Sequence, residues 1–349
     1  MRVAVHGASG VTGGFVVAEA VRRGLSPVLV GRNVERLGKA ASDVGLGDAE
    51  IRVATLDDPS ALADAFRDCD AVVNCAGPFT SWGEPVVRAA IEAGTHYVDT
   101  SGEQRYIKQI LDTFGGAAER AEVTVVPGMA DDGGAGDLIA HLTARRLTSV
   151  AELVVADLRR PGPASRGTAR SMAAVFAQGP LEYLDGTWQP AEGGDWSITV
   201  PGEPEDVAVT PFALPGSVTV PAHVRARHVR SVLRSEVAAR LVTLTPDVVE
   251  SIPETPDEQA RSATRWFMLA DAMDENGSRA TGWVTGPDGY RLTGVIAVEA
   301  ACRLATDGAP AGALAPAQAF DPTDFLNHLT PHGVTWQVTG PRDSSTAKA

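Results

Sequence analysis

The run Val3-Ala4-Val5-His6-Gly7-Ala8-Ser9-Gly10-Val11-Thr12-Gly13 spaces three glycines at three-residue intervals between an apolar strand and the start of an amphipathic helix. Such a turn can hold a pyrophosphate. Gly7 permits the tight turn, Gly10 lets backbone approach the phosphate, and Gly13 lets the helix pack closely on the strand. The anion then rests on free amides at the helix start, so Ala8, Ser9, Val11 and Thr12 join the glycines as candidate cofactor ligands. A glycine-rich turn without a ligand has the same composition. Here, however, a strand precedes it, Phe15, Val16, Val17, Ala20 and Val21 form an apolar helix face after it, and Gly24 supplies a stop. A dinucleotide is the expected ligand.

The second strand signal ends in Gly31-Arg32-Asn33, where an NAD enzyme usually carries an acid for the ribose hydroxyls. An acid would repel a 2′-phosphate, whereas the Arg32 guanidinium can grip one through charge-assisted forked hydrogen bonds. NADPH is therefore expected over NADH, with Arg32 and Asn33 in its site. The alternative is that Arg32 is an exposed loop charge and Asn33 caps the helix Val34 to Val44. Arg36 either supports the same phosphate or faces solvent. Asp57, beyond the third strand, either bonds the adenine edge or belongs to the plain helix start at Asp58-Pro59.

The fourth strand, Ala71 to Cys75, runs into Ala76-Gly77-Pro78 on the side of the sheet where a nicotinamide lies. Cys75, Ala76, Gly77 and Pro78 are candidate contacts of that ring: small residues admit it, and the proline stiffens the turn. Reducing a C=O or C=N bond also requires a proton donor. None of Tyr97, Tyr106, Tyr183 and Tyr290 has a lysine four positions later, which excludes a Tyr-Lys pair. Asp99 and Glu103, after the fifth strand, are the candidate catalytic residues, with Ser101 beside them; a helix cap or loop ligand is the other reading of each. Asp131 and Asp132 are the next acids to consider.

Ser165-Arg166-Gly167-Thr168 opens a helix. Its hydroxyls, guanidinium and amides could converge on a substrate carboxylate or phosphate, which makes Ser165, Arg166 and Thr168 candidate substrate ligands. Alternatively, Ser165 or Thr168 is a simple N-cap and Arg166 is solvated. His328 and His332 have the spacing of metal ligands, but Pro331 intervenes and no carboxylate motif accompanies them, so no metal is expected.

These residues need a parallel sheet to position them. Strand and helix signals alternate through Val126: Ile51 to Thr55, a helix from Pro59, Ala71 to Cys75, a helix around Pro85 to Ala93, His96 to Asp99, a helix from about Glu103, and Val123 to Val126. Six strands separated by helices specify an α/β, Rossmann-type doubly wound sheet over 1–128. Past Pro127-Gly128 the texture changes. A glycine- and aspartate-rich loop, 131–137, leads to a helix Leu138 to Leu147, a strand Val150 to Leu158, a helix Thr168 to Phe176, and a hairpin of Trp266 to Met273 with Thr281 to Thr285. A mixed α+β substrate domain is expected over 129–289. A C-terminal region, 290–338, begins with the apolar helix Leu292 to Leu304 and is expected to pack back on the first domain. The polar tail 339–349 is expected to be disordered.

At 349 residues and 44% apolar content the chain can bury full cores, and it holds no run approaching a membrane span. A net charge of −14 argues against nucleic acid or an anionic membrane as partner. The expected partner is a small-molecule substrate, and a homodimer is compatible with the composition. Cys69, Cys75 and Cys302 form no C-x-x-C pair and read as buried apolar residues. Lysine appears only at 39, 108 and 348, which leaves a lysine-based catalyst almost no candidates. Because the first strand begins at Arg2-Val3, no signal or transit peptide is expected, and the protein is expected to be cytosolic.

The segment Val72-Val73-Asn74-Cys75-Ala76-Gly77-Pro78-Phe79, with Trp82-Gly83-Glu84-Pro85-Val86-Val87 and His96-Tyr97-Val98-Asp99-Thr100-Ser101-Gly102-Glu103, resembles the saccharopine dehydrogenase-like oxidoreductases. Ser165 to Thr168, Gly312-Ala313-Leu314-Ala315-Pro316 and Phe320 agree with that resemblance, which spans most of 1–338. It implies an NAD(P)-dependent oxidoreductase, in a group that includes saccharopine reductases and trans-acting enoyl reductases. Gly128-Met129-Ala130-Asp131-Asp132-Gly133-Gly134 departs from the Gly-Phe-Asp, Pro and Asp pattern of relatives, so no particular substrate carries over. Together these readings point to an NADPH-dependent reductase transferring hydride to a C=N, C=C or C=O bond of a small metabolite. The alternative is a non-catalytic nucleotide-binding or sensing protein on the same fold.

Overall fold

The computed structural model describes residues 1–194 and 196–341. Its chain divides into two compact units, Met1–Asp131 with Gly289–Phe320, and Asp132–Asp288 with the residues from Asp321 onward. In the first unit, strands alternate with helices: β1 (Arg2–His6), α1 (Val11–Arg22), β2 (Ser26–Gly31), α2 (Val34–Asp43), β3 (Glu50–Val53), α3 (Pro59–Phe66), β4 (Ala71–Asn74), α4 (Phe79–Glu92), β5 (His96–Asp99), α5 (Gln104–Arg120) and β6 (Thr124–Val126). Their sheet has the order β6-β5-β4-β1-β2-β3, and every pairing in it is parallel. Burial explains the composition of these strands. Val3, Ala4 and Val5 and the whole of Ala71–Asn74 are covered on both faces, as the middle of a helix-flanked parallel sheet requires. The strand order reverses between β1 and β4, the place where such sheets open a ligand crevice.

Two later pieces complete this unit. Gly312–Ala313 adds a seventh parallel strand beside β6. The helix Gly289–Thr306 lies against α1 because Gly294 has no side chain: a Cβ there would stand 2.9 Å from the Phe15 carbonyl carbon. Charge fixes the far end of the same contact. Arg23 meets Glu19 at 2.7 Å and Glu299 at 2.5 Å, and Glu299 also takes Arg303 at 2.7 Å.

The second unit contains α6 (Gly134–Ala144), β7 (Val150–Asp157) and α7 (Arg166–Gln178), followed by a mixed nine-stranded sheet's remaining strands. β7 pairs in parallel with Ala226–Arg234 and antiparallel with Arg265–Met273. The long hairpin Arg265–Met273 with Arg279–Pro287 turns on Asp274, whose Oδ1 accepts from the amides of Asn276 and Ser278, both at 2.8 Å. The chain thus has one α/β unit and one α+β unit.

Several boundaries differ from those read in the sequence. The helix assigned to 138–147 begins four residues earlier, at Gly134. Gly136 serves close packing rather than a loop: a Cβ on it would stand 3.0 Å from Met268. The helix assigned around Pro85 begins at Phe79, with Pro85 inside it. The region 290–338 is divided between the units at Phe320, because Pro322–His328 and the strand Thr335–Thr339 pack on α6 and Arg279–Pro287 of the second. Of the expected tail, Thr339 closes a strand, and 342–349 lie outside the described residues.

Packing at Gly294 gives a direct test. Gly294→Ala should destabilise the protein by about 1–3 kcal/mol in denaturant unfolding, the usual cost of overpacking. Gly14→Ala, where a Cβ meets nothing within 4 Å, should be neutral or stabilising by up to about 1 kcal/mol.

Candidate cofactor site at the carboxyl edge of the parallel sheet

The turn after β1 is built from three glycines with three separate reasons. Gly7 has a left-handed φ of 78°, and a Cβ on it would stand 3.0 Å from Ala76. A Cβ on Gly13 would stand 2.2 Å from the Gly7 carbonyl oxygen, so α1 could not cross the turn with any other residue. Gly10 is different. It is exposed, and a Cβ there would meet only the Gly7 oxygen, at 3.4 Å. Internal packing therefore leaves Gly10 nearly free, and its bareness serves whatever approaches from outside. No side chain caps α1 at Gly10, and its first turn carries no acid, so its amides and positive dipole end face an incoming anion. Ala8 is buried under the turn, while Ser9, Val11 and Thr12 are partly open beside Gly10.

Arg32 stands exposed just past the end of β2, and no described residue bonds or pairs with its guanidinium. Asn33 acts as the N-cap of α2, accepting from the Arg36 amide at 2.9 Å. Asp57 is exposed past the end of β3, where a Thr55 hydrogen bond holds its carboxyl below the usual range; Asp58, not Asp57, caps α3 through the Ala61 amide.

On the other side of β1 the strand register sets three polar residues in a row. His6 pairs with Asn74, and Asn74 with Asp99, each at the last position of its strand. His6 Nδ1 lies 2.9 Å from Asn74 Oδ1, which also accepts from the Ala76 amide at 3.1 Å. Asn74 Nδ2 donates to the Tyr97 hydroxyl at 3.0 Å. Tyr97 and Tyr106 both donate to Asp99 Oδ2, at 3.0 and 2.8 Å. Asp99 Oδ1 accepts from the amides of Ser101 at 3.0 Å and Gly128 at 2.8 Å. One buried chain of hydrogen bonds thus joins the ends of β1, β4 and β5 to the loop after β6. Burial pushes the Asp99 carboxyl up to about 6 against the pull of its four donors, and it lowers His6 below the usual imidazole range.

Glu103 is engaged elsewhere. Its carboxylate accepts from the amides of Phe79 at 2.8 Å and Thr80 at 2.7 Å, and from the Thr80 hydroxyl at 2.6 Å. It therefore caps α4, whose own N-cap position is Pro78 and has no side-chain acceptor. That cap holds Ala76-Gly77-Pro78, with its cis Gly77–Pro78 bond, beside the turn of Gly7. Cys75 is no nucleophile, since burial pushes its thiol up to about 12.

The candidate residues accordingly divide. Gly7 to Gly13 and Cys75 to Pro78 come together at the edge between β1 and β4, and Arg32, Asn33 and Asp57 line the ends of β2 and β3. The proton-donor role expected of Asp99 and Glu103 finds no support in their surroundings, because both are buried and both oxygens of each carboxylate already accept hydrogen bonds. The anion site expected at 165–168 is likewise engaged internally. Ser165 Oγ accepts from the Thr168 amide at 3.1 Å and meets its hydroxyl at 3.0 Å, while Arg166 donates to the Ile252 carbonyl at 2.8 Å. Among the described residues, no group of three or more His, Cys, Asp or Glu could hold a metal ion. Sequence reasoning missed the roles of His6, Asn74 and Tyr106. The two-residue spacing of Tyr97 and Asp99, which puts them on one face of a strand, was the available signal.

Tyr106→Phe removes one donor from Asp99. The Asp99 carboxyl, followed by carbon-13 NMR, should then titrate above its wild-type value of about 6, and the fold should lose on the order of 1–2 kcal/mol. Its raised value also fixes a sign: the Asp99 contribution to stability is full below about pH 4 and declines as pH rises through about 6.

Residues 3–126 match the family model described as the saccharopine dehydrogenase NADP binding domain. A lipid droplet localized protein of Caenorhabditis elegans is 34% identical over 134 residues, covering 36% of this chain and 32% of that protein. A saccharopine dehydrogenase-like oxidoreductase of Bos taurus is 28% identical over 208 residues, covering 54% and 45%. These matches span less than half the length of either relative. Apo saccharopine dehydrogenase (L-Glu forming) of Saccharomyces cerevisiae superposes with a TM-score of 0.61 at 13% identity, over 97% of this chain and 99% of that one, a likeness of fold. The cytosolic location expected from the sequence does not stand. One relative carries a lipid-droplet name, and another, from Arabidopsis thaliana, 31% identical over 35% of this chain and 30% of its own length, is named a probable mitochondrial saccharopine dehydrogenase-like oxidoreductase. No helix among the described residues is long and apolar enough to cross a membrane. The glycine turn, the bare helix end and the alternating strands and helices all lie within the stretch that matches the saccharopine dehydrogenase NADP binding domain model.

Proposed function

We propose that this chain is an NADPH-dependent oxidoreductase that transfers hydride to a C=N, C=C or C=O bond of a small molecule. The observation that carries the reading is Gly10: it is the one glycine of the turn that internal packing leaves nearly unconstrained, and it sits at an uncapped helix start in an NADP-binding domain. Its backbone and the α1 amides would hold the pyrophosphate, and Arg32, exposed and unpaired among the described residues, would take the 2′-phosphate. Ala76-Gly77-Pro78 would border the nicotinamide, which supplies the hydride when the coenzyme is bound. Asp99 and Glu103 are positioning residues in this reading: Asp99 holds the Gly128 and Ser101 amides, and Glu103 holds the start of α4. A purely sensing role is less favoured, since relatives are named as oxidoreductases.

Titration of both coenzymes tests this reading. NADPH should bind at least about tenfold more tightly than NADH, a difference of about 1.4 kcal/mol. Arg32→Ala should abolish that preference while leaving NADH affinity unchanged. Equal affinities in the wild type would count against the 2′-phosphate site. Gly10→Val should keep the melting temperature and lose coenzyme binding, and a folded variant with wild-type affinity would place the pyrophosphate elsewhere. Consumption of NADPH with a panel of carbonyls, imines and enoyl thioesters then separates catalysis from binding alone.

A further inference from the structure

The second unit contains a cluster of titratable side chains that the coenzyme reading does not use. Asp137 and His141 lie four residues apart on α6 and so share one of its faces. His223, just after the short turn Val220–Ala222, sits between them: its Nε2 is 2.8 Å from Asp137 Oδ1, and its Nδ1 is 3.0 Å from His141 Nδ1. Asp137 is fully buried and the His223 side chain nearly so, whereas His141 is only part-buried. No described residue bonds Nε2 of His141. We propose that Asp137, His223 and His141 form a proton-relay site whose open end, Nε2 of His141, exchanges a proton with a hydroxyl or amine group of a bound small molecule.

Hydrogen-bond bookkeeping sets the direction of the chain. A buried carboxylate can only accept, so His223 carries its proton on Nε2 and presents a lone pair at Nδ1. His141 must then donate from Nδ1, which leaves the lone pair of its Nε2 unused. This is the arrangement of a base oriented by a second group that is oriented by a third. When Nε2 accepts a proton from a ligand hydroxyl, the O–H bond breaks, an N–H bond forms, and the ligand keeps the electron pair as an alkoxide. The imidazolium goes on donating to His223, and Asp137 lies two hydrogen bonds behind it. Any second proton on His223 must come across from Nδ1 of His141, because two N–H groups cannot face each other across 3.0 Å. The charges acting on His141 are Asp137 on its own helix, Arg145 at the C-cap of that helix, His223, and Asp321, the N-cap of Pro322–His328. Burial and the neighbouring imidazole lower His141 below the usual range, so it is the neutral, accepting form that prevails at pH 7.

Nitrogen-15 NMR of the histidine rings in the full chain, between pH 5 and 8, tests it without a known ligand. At pH 8 neutral His141 should carry its proton on Nδ1 and His223 on Nε2, and on acidification His141 should gain a proton on Nε2. At pH 8 a His141 protonated on Nε2, or a His223 protonated on Nδ1, would overturn the proposal. Diethylpyrocarbonate supplies the second reading: it should acylate His141 at Nε2 near neutral pH and spare His223, and a His141 that resists it would show that the relay has no open end. In Asp137→Asn the titration midpoint of His141 should fall by about one pH unit, a tenfold change in proton affinity, and an unmoved midpoint counts against the relay. Both wild-type measurements decide the matter even where that variant does not fold.

Discussion

The architecture of the first unit depends on a single close approach. The helix α1 crosses the turn after β1 so tightly that any side chain at Gly13 would collide with the Gly7 carbonyl, and Gly7 itself lies against Ala76 at the end of β4. This contact sets the angle at which α1 leaves the sheet, and so where its unsatisfied amides point. It also brings the loop after β4 against the loop after β1, at the place where the strand order reverses. The Gly7 amide adds a bond to the Val30 carbonyl at 3.1 Å, tying the turn to β2 on its other side. The loops after β1, β2 and β4 therefore inherit their spacing from one packing constraint.

Polar residues stabilise the β4 side of that edge. A carboxylate as deeply buried as Asp99 is costly unless every lone pair finds a donor, and here two tyrosine hydroxyls and two backbone amides supply them. The chain of bonds back through Asn74 to His6 makes the ends of three strands a single hydrogen-bonded object. Glu103 does similar work for α4, replacing the cap that Pro78 cannot provide. These acids owe their places to holding backbone, and that explains why two ionisable residues beside a candidate nicotinamide crevice can be fixed parts of the scaffold.

The glycine turn, the parallel sheet and the mixed second sheet were legible because local chemistry dictates them: glycine spacing, alternation of strand and helix, and a hairpin between two strand patterns all act within a few residues of themselves. What was hidden depends on contacts between distant residues. Nothing near Tyr106 announces that its hydroxyl reaches Asp99, and nothing near Arg166 announces the Ile252 carbonyl that engages it. The two-residue strand Gly312–Ala313 carries no periodicity to detect, and the early start of α6 was masked by a glycine-rich run in which Gly136 packs against Met268. The pair His141 and His223 is 82 residues apart in the chain and became visible only when α6 and the turn before Ala226 were folded together.

In the function proposed above, the Gly7–Gly13 turn and the start of α1 form the floor of the coenzyme site. Hydrogen–deuterium exchange with and without saturating NADPH measures it most directly. Peptides covering residues 7–14 should exchange markedly more slowly with the coenzyme bound, as should the segment after β4. Unchanged exchange at 7–14, with protection confined to other parts of the chain, would contradict the account.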